Sequence, residues 1–219
     1  YYRAVRIMRA RFHDQLNRLD VELMEMGTLC EDAIQAAVRV LMSDKEAKLK
    51  KVRAIKQDLE STGREIEDHC MKMLIQQQPV ARDLNTISLA LKMIRDMDRI
   101  GSQAVELASI AKDVEPNQMQ CGSLIRSMTD TAVGMVTDAV TAFVHKDAEI
   151  ADDVIERDDK LDDEYLQVKN TLSDQVFLDK GDAGNAIDIL MIAKYLERIG
   201  DHAVNIATWV GDVARANGP

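Results

Sequence analysis

Two apolar seams that recur 99 positions apart most limit how this 219-residue chain can fold. Leu84, Ile87, Leu91, Ile94, Asp98, Gly101, Val105 and Ala108 step by three and four. Ala183, Ala186, Leu190, Ala193, Glu197, Gly200, Val204 and Ala207 repeat those steps. Such spacing keeps side chains on one face of a helix, whereas a strand needs steps of two. Seams of this kind suit helices packed nearly parallel, at about 20°. The likeness extends to letters, since Asp98-Arg99-Ile100-Gly101 lies over Glu197-Arg198-Ile199-Gly200. Ala37-Val38 lies over Ala139-Val140 at a separation of 102. The repeat is about 100 residues, which makes one duplication and not a solenoid of many short units.

Breakers divide each half into three. Ser43-Asp44-Lys45, Gln78-Pro79, Pro116-Asn117, His145-Lys146-Asp147 and Gly181-Asp182 interrupt the periodic stretches. The spacing predicts helices near 4–42, 45–77, 80–113, 118–145, 147–178 and 183–214. The fold expected is all-α, six long helices in two tandem, pseudo-symmetric three-helix bundles. The first bundle would span 1–115 and the second 116–219.

Charge and cysteine content narrow the function classes. A net charge of −10 repels a phosphate backbone and an anionic membrane surface. Direct nucleic-acid binding is therefore not expected. No apolar run approaches the roughly 20 residues needed to span a bilayer. The basic stretch Tyr1 to Arg11 has no apolar core, so it does not read as a secretory signal. Cys30, Cys70 and Cys121 are odd in number and fit no zinc spacing, which suits free thiols in a reducing compartment. No Gly-rich phosphate loop, nucleophile elbow or Ser/Cys–His arrangement is present, so no catalytic residue is assigned.

The anomaly is acid inside a seam. In the fifth segment Asp158 interrupts Val154, Leu161, Tyr165, Val168 and Leu172, with Asp162 one turn on. In the sixth, Glu197 interrupts and Asp201 follows one turn on. Residues four apart share a helix face, so two helices each present a carboxylate pair to their common interface. An uncompensated buried carboxylate costs several kcal/mol, so protonation, arginine or a metal must neutralise the group. Arg157 and Arg198 stand about 100° round the helix from the seam and are poorly aimed at it. Oxygen donors favour hard cations such as magnesium, calcium, manganese or iron. A structural polar layer is the alternative. Asp152, Asp153, Glu156, Asp159 and Asp163 read as a solvated face. The histidines are scattered and no Glu-x-x-His pair occurs; His202, beside Asp201, is the one with a potential role at the site. Met24, Met26, Met71, Met73, Met93 and Met97 fall among apolar positions and read as core.

These residues carry a resemblance to the PhoU family, bacterial regulators of phosphate transport and phosphate-starvation signalling. Met26-Gly27, the run Gln77-Gln78-Pro79-Val80-Ala81-Arg82-Asp83-Leu84, and Glu197-Arg198-Ile199-Gly200-Asp201 resemble its pattern. The resemblance implies two three-helix bundles, and acidic Glu/Asp-x-x-x-Asp motifs that hold iron, zinc or other divalent ions such as manganese or magnesium. It implies a non-enzymatic negative regulator in the cytoplasm, linking a phosphate ABC transporter ATPase to a sensor histidine kinase. Such a protein is peripheral to the membrane only through its partners, and a homodimer is compatible with it. A carboxylate-bridged metalloenzyme and a metal-free helical scaffold are the other readings. The motif stands at Asp158/Asp162 and Glu197/Asp201. Its first-half equivalents are degraded, with Lys56, Glu60, Asp98 and Ser102 at the matching positions. The expectation is one cluster, in the second half, with Lys56 pairing Asp98 in the first.

Overall fold

The computed structural model describes residues 2–41, 45–77, 79–114, 121–178 and 182–216. It contains six helices: α1 (Tyr2–Arg39), α2 (Lys45–Gln77), α3 (Ala81–Ala111), α4 (Gly122–His145), α5 (Ala148–Phe177) and α6 (Ala183–Ala216). Ser43, Asp44, Gln78, Pro116, Asn117, Gly181 and the expected boundary between 115 and 116 lie outside the described residues.

The local chemistry of the ends is plain where the chain turns sharply. Lys146 closes α4 in the left-handed region, with φ of 55°. Its neighbour Asp147 caps α5 by accepting from the backbone N–H of Glu149 at 2.9 Å and of Ile150 at 3.3 Å. Pro79 and the extended Val80 precede α3, where the fixed proline φ and the missing donor suit a helix entrance.

In the first half α1, α2 and α3 pack on one another, and in the second α4, α5 and α6 do so. The halves meet through α3 against α6 and α1 against α4. Lys92 stacks on Trp209 while Asp96 meets His202, so α3 and α6 run antiparallel. Gly27 against Val140 and Glu31 against Thr137 show the same for α1 and α4. A Cβ on Gly27 would stand 3.1 Å from Val140 Cγ2, so the absent side chain sets the close α1–α4 approach. Helices α2 and α5 are thereby left on the outside, each covered on one face. The buried residues form one continuous core across both halves, so the bundles share an interior.

The seams bury as expected along most of their length, but the first turns do not. Leu84 and Ala183 are exposed. Ile75 and Val80 are exposed at one tip, Phe177, Leu178 and Ile187 at the other. Met26, Met73, Met93 and Met97 are core, whereas Met24 and Met71 are exposed. No described helix is long and apolar enough to cross a membrane.

Candidate metal centre

Helices α5 and α6 pack along the seam predicted from spacing, and the four acids lie there. Asp158 and Glu197 are half-buried, while Asp162 and Asp201 are exposed at the mouth. All four act on one another across the interface, the first acid of each pair lying deeper than the second. Four residues advance a helix by about 400°, so the second acid of each pair is rotated about 40° outward from the first.

The electrostatics concentrate on Asp158. Burial, then the charges of Asp162, Asp201, Glu197 and Asp159, push its carboxyl up to about 6. Burial and Glu197 raise Asp162 as well. Asp158 Oδ1 is enclosed and accepts no hydrogen bond. Gly200 lines the same place: a Cβ there would stand 3.5 Å from Asp158 Oδ1 and 3.6 Å from Met135 Cε, and would collide with Leu161 Cδ2.

Arg157 turns away to pair with Asp138 on α4, and Arg198 lies over Tyr195, its Cζ 5.9 Å from the ring centre. One counter-charge escapes the sequence reading. Lys194 Nζ is 2.5 Å from Glu197 Oε2 and 5.2 Å from the centre of the Tyr165 ring. Its spacing of three from Glu197 was the available signal. Lys194 answers Glu197 and leaves Asp158 Oδ1 without a donor. The donor set is oxygen only and suits a hard cation. Among the described residues no three His, Cys, Asp or Glu side chains converge as closely as a metal site requires.

The first half answers the same position with a cation. Lys56 Nζ forms an ion pair with Asp98 Oδ1 and lies 3.0 Å from Glu60 Oε1. Gly101 makes room for it, since a Cβ there would be 3.1 Å from Lys56 Cδ and 3.0 Å from Leu59 Cδ1. Ser102 donates to the Asp98 carbonyl of its own helix at 3.0 Å.

His202 does not join the acids. Its Nδ1 is 2.8 Å from Asp96 Oδ1 across the two halves, and Asn205 donates to the same oxygen at 3.3 Å. Asp96 is thus a buried carboxylate satisfied from the other bundle. His69 is held likewise inside the first half, by Glu22 at 2.6 Å and Gln15 at 2.8 Å. Glu164, buried between α4 and α5, takes a hydrogen bond from Ser127. Pattern reading passed over Asp96 and Glu164, because only their packing distinguishes them from surface acids.

Fold and site together define a duplicated helical-bundle protein with an acidic seam in one copy and a salt-bridged seam in the other. The PhoU domain matches the chain twice, over residues 23–111 and 125–210. The chain belongs to the PhoU family. A phosphate-specific transport system accessory protein PhoU homolog from Pseudomonas putida is 30% identical over 202 residues, 91% of this chain and 79% of that protein. A homolog of the same name from Clostridium acetobutylicum is 30% identical over 199 residues, 89% of this chain and 90% of that one. The crystal structure of PhoU from Pseudomonas aeruginosa superposes with a TM-score of 0.84 at 29% identity, covering 94% of this chain and all of that one. In fold alone, the PhoU structure from Streptococcus pneumoniae gives 0.85 at 20% identity, over 94% and 98% of the two chains. These relatives are named as accessory or regulatory proteins and none as an enzyme.

Proposed function

We propose that this chain is an accessory regulator of phosphate transport, acting by contact and not by turnover. The observation that carries the reading is the double PhoU match laid over both structural repeats. On this reading it works in the cytoplasm, couples a phosphate ABC transporter ATPase to a sensor histidine kinase, and holds down the starvation response when phosphate is plentiful. Affinity capture of the ATPase by the full chain from phosphate-replete cells tests it. Capture that never contains the ATPase would overturn it.

The finer part of the proposal is a metal at the second-half seam. Asp158, Asp162, Glu197 and Asp201 would hold it, and its charge would offset the burial and the repulsion that raise Asp158. Iron, zinc, manganese and magnesium are the candidates. In the first half, Lys56 supplies the positive charge from within the chain. The Lys194–Glu197 contact supports a second reading, a metal-free polar layer held by Lys194 and by protonation. Elemental analysis of natively purified, untagged protein decides between them. Metal lost together on Asp158→Ala and Asp201→Ala supports the centre. Protein that is metal-free as purified and takes up none of the four ions on dialysis supports the polar layer.

A further inference from the structure

The two copies differ one turn beyond their seams. In the first, Gly63 on α2 lines a cleft of about 460 Å³ between α2 and α3. A Cβ on Gly63 would stand 3.2 Å from Ile94 Cγ2 and 3.3 Å from Met26 Cε, so the backbone itself forms the floor. The matching residue in the second copy is Tyr165, whose ring lies beneath Lys194.

The rim of the open cleft carries Arg64, Arg95 and Arg99. All three are exposed, and none makes an ion pair among the described residues. Arg64 replaces Leu166 of the second copy and Arg95 replaces Lys194, whereas Arg99 matches Arg198. Three acids also line the cleft. Asp98 and Glu60 are taken by Lys56, and Glu67 stands at the rim. A chain of net charge −10 thus gathers three guanidinium groups at one concave place. Guanidinium forks stay charged, match phosphate and carboxylate oxygens two at a time, and lose little freedom in doing so. Three forks from two helices offer more donors than one carboxylate can accept. A tetrahedral oxyanion has acceptor oxygens enough for all three.

We propose that the Gly63 cleft of the first bundle binds a small phosphoryl-type oxyanion through Arg64, Arg95 and Arg99. The site does not depend on the second-half metal. It gives one half of the molecule an anion and leaves the acidic seam to the other.

Calorimetric titration of the full chain at low ionic strength with inorganic phosphate, pyrophosphate and ATP tests this, with chloride as the background ion. One saturable site per chain is expected for at least one probe. Arg95→Gln with Arg99→Gln should weaken it about tenfold or more, the loss of two charge-assisted contacts. Gly63→Tyr keeps every charge and adds a bulky ring at the cleft floor, and should abolish binding. Circular dichroism melts confirm that each variant is folded. Asp158→Ala with Asp201→Ala should leave the affinity unchanged. Tighter binding of ATP than of phosphate identifies a nucleotide as the source of the phosphoryl group, and the reverse identifies the free ion. No saturable binding of any probe would overturn the proposal. So would binding that survives the arginine and Gly63 changes, or binding lost only with the second-half acids.

Discussion

Lys56 and Asp98 form an ion pair between α2 and α3 at the position where Asp158 and Glu197 bring two carboxylates together between α5 and α6. One duplicated architecture thus carries opposite electrostatics in its two copies. The first is neutralised by a side chain. The second retains excess negative charge, with Lys194 as its nearby cation.

That pairing predicts an energetic coupling. Lys56→Met and Asp98→Asn should each destabilise the fold, and the double variant should cost less than their sum by about 1 kcal/mol. Denaturant melts at moderate salt measure it. A coupling indistinguishable from zero would remove Lys56 as the counter-charge of the first seam.

The second seam predicts a pH dependence of the opposite kind from a salt-bridged acid. Asp158 is raised in the folded chain to about 6 from 3.8. The folded state therefore holds its proton more tightly than the unfolded state does. Stability from this group is full below about pH 4 and is lost as pH rises through 6. The facing groups are Asp159 and Asp162 on α5, Glu197 and Asp201 on α6, and Lys194 as the opposing cation. In chelator-treated protein, Asp158→Asn should raise the melting temperature at pH 8 and change it little at pH 4. Equal effects at the two pH values would contradict the assignment.

The glycines of the two Arg-Ile-Gly runs should differ in cost. Gly200→Ala drives a methyl into buried Leu161, whereas Gly101→Ala meets Leu59 at 3.0 Å and the flexible Lys56 stem at 3.1 Å, a tight contact that a small shift relieves. Overpacking of this kind costs about 1–3 kcal/mol, with Gly200 the larger. Thermal melts of the two single variants give the order, and a milder effect at Gly200 would mean that Leu161 has another rotamer available.

Much of this was readable from residue order because helix periodicity is local. Steps of three and four placed all six helices within a few residues, and the position of Lys146-Asp147 marked the corner that the structure closes with a left-handed lysine. The acids of α5 and α6 were found as interruptions in an apolar pattern. Lys194 was missed because its direction depends on the Tyr165 ring beside it, not on spacing alone. The exposure of Asp162 and Asp201 follows from the drift of a helix against its seam, which matters only once the neighbouring helix is in place.

By itself the sequence determined the helices, the duplication and the family, since each is written in patterns within one or two hundred positions of a single strand of text. Tertiary structure alone decided that the bundles share one interior, that Asp96 is answered by His202 from the other half, and that Gly63 lines a cleft rimmed by Arg64, Arg95 and Arg99. Those outcomes depend on which faces meet and how closely. Burial, desolvation and the approach of charges are properties of the packed surfaces, and no single helix contains them.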